Sequence, residues 1–424
     1  MMLFHLILLA SPLVKGDLIN FPPFSSQPVA FNISVEPTFI NETKVKAGLY
    51  RPSIDLEDDS NKDWLEGPPQ ENMTALATYW KEHYDWFETE KDINADFSHY
   101  AITIPPPNGS EYQHEVPLHF VHERSDDDDA IPLLLLHGWP SSHLEWSKVI
   151  APLLSPTDPT AQRFHVVAPD LPAFGFSPAP TYSGLGPRQM GLIFDALMHK
   201  LGYPKYGLAS TDLGWWVGMW MADAVSSSLI GHFSDFYIAQ PNATDLARQA
   251  QNQTTAEENA YISSVQAWFA SHSAYDTIQT QNPLAIGQAM SDTPVGFAGW
   301  IWVLMYAVSD GYAYSFDEII TSTMMLWIQG TWGNLRTYRE FMQTAGSNFP
   351  QTKVPTGVSQ WAFAKGPFPI LLNFNFAPRE WIERLVNLVY LSKHDQGGHF
   401  PAVNQPELWV QDVQEFFGSL AVNR

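Results

Sequence analysis

The chain of 424 residues contains no cysteine. That excludes disulfides, thiolate catalysis and cysteine-bound zinc. Basic residues are scarce: 22 Lys and Arg stand against 45 Asp and Glu, a formal net charge of −23. Nucleic-acid binding requires a basic footprint, and none is present. The acidic surface also disfavours docking to anionic membranes and favours solubility. No internal repeat is visible, and no apolar run reaches the ~20 residues that a bilayer span requires. With 45% hydrophobic and only 16% charged residues the chain reads as a folded globular protein of two or three structural units.

What is there begins with an address. The N-terminal apolar run LFHLILLASPLV ends at Val14, with no Lys or Arg ahead of it. It reads as a signal-peptide core with Val14 and Gly16 at the −3 and −1 positions, so that residues 1–16 are a leader. The alternative is a short uncleaved anchor that keeps the protein at a membrane. Six Asn-x-Ser/Thr sequons, at Asn32, Asn41, Asn72, Asn108, Asn242 and Asn252, fit a secreted glycoprotein.

Residues 29–130 mix proline, asparagine and charge around one helical stretch, Met73–Phe87. Its aromatics Tyr79, Trp80, Tyr84 and Trp86 are suited to wrap against a neighbouring unit. A strand is predicted at Leu118–Glu123. From Ile131 the character changes, and residues 131–424 read as one α/β unit. Continuous apolar runs at Ile131–Leu136, Phe164–Ala168, Tyr206–Ala209 and Leu388–Leu391 suit buried parallel strands. They alternate with helical patterns such as Leu213–Ser227, which predicts a sheet with helices on both faces. Between about 243 and 345 the pattern is helical and rich in aromatics, a helical insertion suited to serve as a lid over an apolar pocket.

Ser210-Thr211-Asp212-Leu213-Gly214 lies between a predicted strand and a predicted helix. The small-x-nucleophile-x-small form is that of a nucleophile elbow, with Asp in the nucleophile's place. An ordinary helix-capping Asp is the alternative. Two segments argue for the elbow. His137-Gly138-Trp139-Pro140 ends an apolar strand upstream, so that the amides of Trp139 and Leu213 can converge on an oxyanion. Gly397-Gly398-His399-Phe400 follows the last predicted strand, and the order nucleophile then histidine is that of α/β-hydrolases. No metal or cofactor is implied, because the histidines lack the spacing of zinc-protease ligands.

These segments resemble the microsomal-type epoxide hydrolases. HGWP, DLPAFGFS (Asp170–Ser177), STDLG and GGHFPA match that family's signatures, and the resemblance runs from about Phe31 to Phe417. It implies an α/β-hydrolase fold with a helical lid and an N-terminal extension. It also implies hydrolysis of a small apolar epoxide to a vicinal diol. Tyr275, in Tyr275-x-x-Ile278-Gln279, and Tyr338, in Arg336-Thr337-Tyr338-Arg339-Glu340, are similar to the two lid tyrosines that protonate the epoxide oxygen. Asp212 is then the nucleophile and His399 the base that activates water on the ester.

The third member of the triad departs from the family pattern. Counting back from Pro378-Arg379-Glu380-Trp381 lands on Asn373, and no Asp or Glu occurs between Phe341 and Arg379. Asn373 orients His399 without charge, or an acid from another strand end such as Asp245 substitutes, or turnover is impaired. The competing functions are therefore a hydrolase-fold binding protein without turnover and a haloalkane dehalogenase-like hydrolase.

Overall fold

The computed structural model describes residues 25–61, 64–344, 348–365 and 374–421. The leader expected at 1–16 lies outside the described residues. At its centre is a nine-stranded sheet: β1 (Val29–Ala30), β2 (His99–Ile104), β3 (Val116–Glu123), β4 (Ile131–Leu136), β5 (Phe164–Pro169), β6 (Tyr206–Ser210), β7 (Leu229–Ser234), β8 (Pro355–Trp361) and β9 (Asn387–His394). The spatial order is β1-β2-β3-β5-β4-β6-β7-β8-β9. β1, β2 and β3 join antiparallel, as does β3 to β5, and every later pairing is parallel. The central strands β4, β5 and β6 are buried on both faces, which is why they read as unbroken apolar runs.

Helices α1 (Pro37–Gly48), α2 (Gln70–Glu82) and α3 (Trp86–Asp96) belong to the N-terminal part, and α4 (Ile150–Leu154), α5 (Pro187–Lys200) and α6 (Asp212–Ala224) flank the sheet. The single helix predicted over 73–87 is in fact two. The first ends at Glu82, and Asp85 caps the second, its carboxylate accepting the Phe87 amide, a role that Asp fills well at a helix start. The boundary expected at residue 131 is also no break in the sheet, since Val121 of β3 pairs with Ala168 of β5. A chain of buried histidines ties the two parts: His99 to His119, His119 Nδ1 to Asp170 Oδ2 at 2.8 Å, and Asp170 Oδ1 to His143 Nδ1 at 2.9 Å.

After β7 the chain turns into α7 (Ala243–Ala250), α8 (Ala256–Ser271), α9 (Ala274–Gln281), α10 (Pro283–Met290), α11 (Pro294–Val308), α12 (Phe316–Trp327) and α13 (Thr331–Thr344). This is the helical lid. Capping boxes at Asn242/Asp245, Thr255/Glu258 and Ser315/Glu318 start three of its helices. The N-terminal aromatics hold the lid from outside. Tyr84 hydrogen-bonds Thr321 at 3.0 Å, Tyr79 donates to Asp317 at 2.9 Å, and Trp64 stacks on Tyr306 with ring centroids 4.0 Å apart. The C-terminal helix (Pro406–Ala421) returns to pack Val413, Phe416 and Phe417 beneath β5 to β7.

Candidate active site

Asp212 sits where β6 turns into α6, with φ +42°. A non-glycine residue is held there at a cost of about 1–3 kcal/mol, and such strain concentrates at functional positions. The turn is sharp because β6 runs beside β4. The Thr211 amide donates to the Leu136 carbonyl at 3.1 Å, and a Cβ at position 214 would strike that same carbonyl oxygen, so that only glycine fits. The carboxylate is thereby lifted to the C-terminal edge of the sheet.

Its two oxygens have different surroundings. Oδ1 accepts the Trp139 amide at 2.8 Å, and the Leu213 amide also bonds the carboxylate. The two expected oxyanion donors thus converge on Asp212 itself. Oδ2 faces His399 Nε2 at 3.8 Å. Burial raises the Asp212 carboxyl to about 6, with the Trp139 and Leu213 amides acting against it. Burial lowers the His399 imidazole to about 4. Near pH 7 the first is therefore largely ionised and the second neutral.

His399 is held by its backbone and by the lid. Its amide donates to Val308 O at 2.8 Å, at the end of α11. Two residues further, buried Asp310 accepts the Gly397 amide at 2.8 Å and the Lys365 amide at 2.5 Å. Asn404 donates to both Ser309 O and Gly397 O. Gly398 has φ +64° and lies against Val308 O, where a side chain has no room. The imidazole packs edge-to-face on Phe236 at 5.3 Å and Phe400 at 4.7 Å.

Above the carboxylate stand Tyr275 on α9 and Tyr338 on α13, with ring centroids 5.9 Å apart and planes at 84°. Both rings contact the Trp139 indole, at 5.5 and 5.9 Å. Arg339 on α13 donates to Thr280 O of α9 and fixes the two helices together. Burial first, then for Tyr338 the neighbouring Tyr275 and for both the charge of Asp212, push the two phenols well above their ordinary value. Both therefore keep their protons. The Trp139 indole donates to Asn334 Oδ1 at 3.0 Å. Sequence reasoning missed Asn334, yet it lies four residues before Tyr338 and so on the same helix face. It also missed Asp310, which holds the loop of His399, and Asp235, which lines the same site.

Between floor and roof lies a cavity of about 420 Å³, within the usual range for small-molecule sites. Trp216, Tyr261, Trp268, Phe269 and Phe374 are among its walls.

The triad acid is where expectation and structure part. Asn373 lies outside the described residues. Asp245 is engaged elsewhere: Arg384 grips both its oxygens at 2.7 and 2.9 Å, and it closes the capping box of α7 on the Asn242 amide. It is a helix-start residue and not the partner of His399. Among the described residues the one carboxylate within 4 Å of the imidazole is Asp212.

A strained acidic elbow, two backbone amides on its carboxylate and a histidine from the last loop are the arrangement of an α/β-hydrolase site. The family model described as "Epoxide hydrolase N terminus" matches residues 28–146, and that of the alpha/beta hydrolase fold matches 131–214. A protein of Stigmatella aurantiaca (strain DW4/3-1) named "Putative epoxide hydrolase" is 32% identical over 407 residues, which cover 92% of this chain and 84% of that protein. Epoxide hydrolase 1 of Sus scrofa is 27% identical over 92% of this chain and 88% of its own. In structure, the juvenile hormone epoxide hydrolase of Bombyx mori superposes with a TM-score of 0.76 at 24% identity, covering 94% of this chain and 95% of that one. The epoxide hydrolase of Aspergillus niger gives 0.77 at 24% identity over 94% and 98%. These two structures share the fold. The chain belongs to the epoxide hydrolase family, and its reaction is the hydrolysis of an epoxide.

Proposed function

We propose that the reaction proceeds through a covalent ester on Asp212, with Tyr275 and Tyr338 as acids and His399 as base. The observation that carries this reading is the asymmetry of the carboxylate. Oδ1 is tied to the Trp139 amide, whereas Oδ2 is turned to His399 and is available to react. Oδ2 attacks an epoxide carbon in line, the ring C–O bond breaks, and the freed alkoxide takes a proton from a lid tyrosine. Oδ1 becomes the ester carbonyl oxygen, already seated on the Trp139 amide, which with the Leu213 amide stabilises the next oxyanion.

His399 then removes a proton from water, which attacks the Asp212 carboxyl carbon. The tetrahedral intermediate collapses by breaking the bond to Oδ2, and the leaving alcohol oxygen takes the proton from His399. The remaining carboxyl proton returns to the tyrosinate, and a vicinal diol leaves. The aromatic walls of the cavity suit a bulky apolar epoxide. The dehalogenase-like alternative needs indole donors for a halide, and the Trp139 indole is already committed to Asn334. For location, the N-terminal apolar run supports export. Five of the six sequon asparagines are exposed, and Asn72 is half-buried, an arrangement that suits glycosylation.

Styrene oxide with purified protein tests the mechanism. Wild type is expected to give diol, and mass spectrometry after rapid quenching is expected to show the ester on the peptide carrying Asp212. Asp212→Ala is expected to give neither. Diol formation that survives Asp212→Ala would overturn the covalent route. Halide release from a haloalkane without diol would revive the dehalogenase reading, and tight binding of epoxide analogues without diol would favour the binding protein.

A further inference from the structure

While the ester is hydrolysed, His399 carries a positive charge inside a buried site, where an unbalanced cation is costly. Within the mechanism proposed above, some carboxylate has to offset it. The segment after β8 offers none, since no Asp or Glu occurs between Phe341 and Arg379. Buried acids elsewhere already have partners: Asp170 has His119 and His143, Glu258 has Arg248, and Glu340 has Arg336. Asp245 is held by Arg384. Asp310 has both oxygens on backbone amides. Asp412 serves Tyr390, Ser392 and His394.

Three carboxylates line the cavity: Asp212, Asp276 and Asp235. Asp212 is the nucleophile. Asp276 belongs to the lid beside Tyr275 and accepts from Thr280. Asp235 remains. It follows the last residue of β7, the strand next to the one that carries the elbow, and it is 92% buried, being 8% exposed. Its Oδ2 accepts the Trp409 indole at 2.6 Å. Its Oδ1 is fully buried and has no hydrogen-bond partner, a vacancy that native interiors rarely leave without reason. The next residue, Phe236, presses its ring against the His399 imidazole.

We propose that Asp235 is the acid that balances and positions His399 during ester hydrolysis, in place of a carboxylate after β8. It acts through His399 and touches no reacting atom. In the resting structure the imidazole faces Asp212 and makes no hydrogen bond to Asp235. The pairing belongs to the charged state, when the imidazolium needs an acceptor and Oδ1 has none to give up. The groups around Asp235 fit that duty. Burial raises its carboxyl to about 7, with the Trp409 indole acting against it, and a positive imidazolium draws it toward its anion. Glu145 stands close by on the 3-10 turn His143–Trp146, where burial and then the charge of Asp235 push its carboxyl well above the ordinary range.

The test separates the two half-reactions. Wild type, Asp235→Asn and Asp235→Glu are mixed with styrene oxide, quenched rapidly and weighed intact, and the thermal midpoint of each variant is recorded. Asp235→Asn is expected to form the ester at the wild-type rate. It is expected to hydrolyse the ester about 10²-fold or more slowly, toward the roughly 10⁴-fold seen when an analogous triad loses its acid, and to accumulate it with kcat lowered. Asp235→Glu restores the charge and is expected to recover most of that loss. Hydrolysis of the ester at the wild-type rate in Asp235→Asn would overturn the proposal. So would an equal fall of both half-reactions together with a lowered thermal midpoint, which would mark a structural role. Absence of any ester in wild type would instead sink the underlying mechanism.

Discussion

Asp212 and His399 face each other across 3.8 Å, yet they are fastened to different parts of the molecule. The aspartate is a product of the sheet. Its strained turn is dictated by the register of β4 and β6, and its Oδ1 is held by an amide of the loop after β4. The histidine is fastened to the lid, because the Val308 carbonyl and the Asp310 carboxylate pin its loop at the end of α11. The roof tyrosines share that lid. In the proposed mechanism ester formation therefore draws on sheet and lid together, whereas the placement of the hydrolytic base depends on where α11 ends. A change that loosens the lid should fall unequally on the two half-reactions.

The sheet side of the site is the more sensitive to substitution. Asp212→Asn is expected to lower diol formation by at least about 10⁴-fold, as loss of a nucleophile does elsewhere. A smaller effect, measured by product chromatography, would mean that another group attacks. At the roof, Tyr338→Phe is expected to slow ester formation about 10²-fold, in the range for a general acid. Its ester, once made, should hydrolyse nearly as in wild type. Equal loss in both steps would move Tyr338 from acid to packing. On the histidine side, Asp310→Asn weakens one of two amide anchors and should slow ester hydrolysis about tenfold through misplacement of the base. Ester formation is expected to stay within about twofold.

The least disruptive probe is pH. Asp212 must be ionised to attack, and its carboxyl is raised to about 6. The rate of ester formation should therefore fall as pH drops through 6, by about tenfold at pH 5, and level off above 7. His399 lies at about 4 and stays neutral over the same interval. In Asp235→Asn ester hydrolysis should consequently be flat from pH 5 to 8, whereas in wild type it should fall as pH drops through about 7, where burial places the Asp235 carboxyl. Stopped-flow rates for each step check both limbs, and a hydrolysis limb of Asp235→Asn that falls with that of ester formation would show that the two groups titrate as one.

The same division explains what the sequence made legible. β4, β5 and β6 are buried on both faces, so their apolar runs marked them within a residue or two, and the elbow and oxyanion loop followed from where those strands end, as the histidine did from the end of β9. β7 and β8 escaped, because LIGHFS and PTGVSQW are interrupted by Gly, His, Ser and Gln. Their polar residues are satisfied only in the fold, as when Ser210 Oγ meets His232 Nε2 at 2.7 Å. Missing β7 also meant missing Asp235, which has meaning only as the residue past a strand end. Asp245 was misjudged for a local reason. Asn242-x-x-Asp245 is a helix-start pattern legible in sequence, and the Arg384 that completes its environment is 139 residues away.

The unequal holding of the two Asp212 oxygens has a consequence for isotopes. In the proposed mechanism Oδ2 leaves with each diol and is replaced by an oxygen from water, whereas Oδ1 remains clamped to the Trp139 amide. In ¹⁸O-enriched water the first diol should therefore emerge unlabelled, and each later one should carry the oxygen captured a cycle earlier. The protein itself should end with a single heavy atom at residue 212, since the clamped position never exchanges.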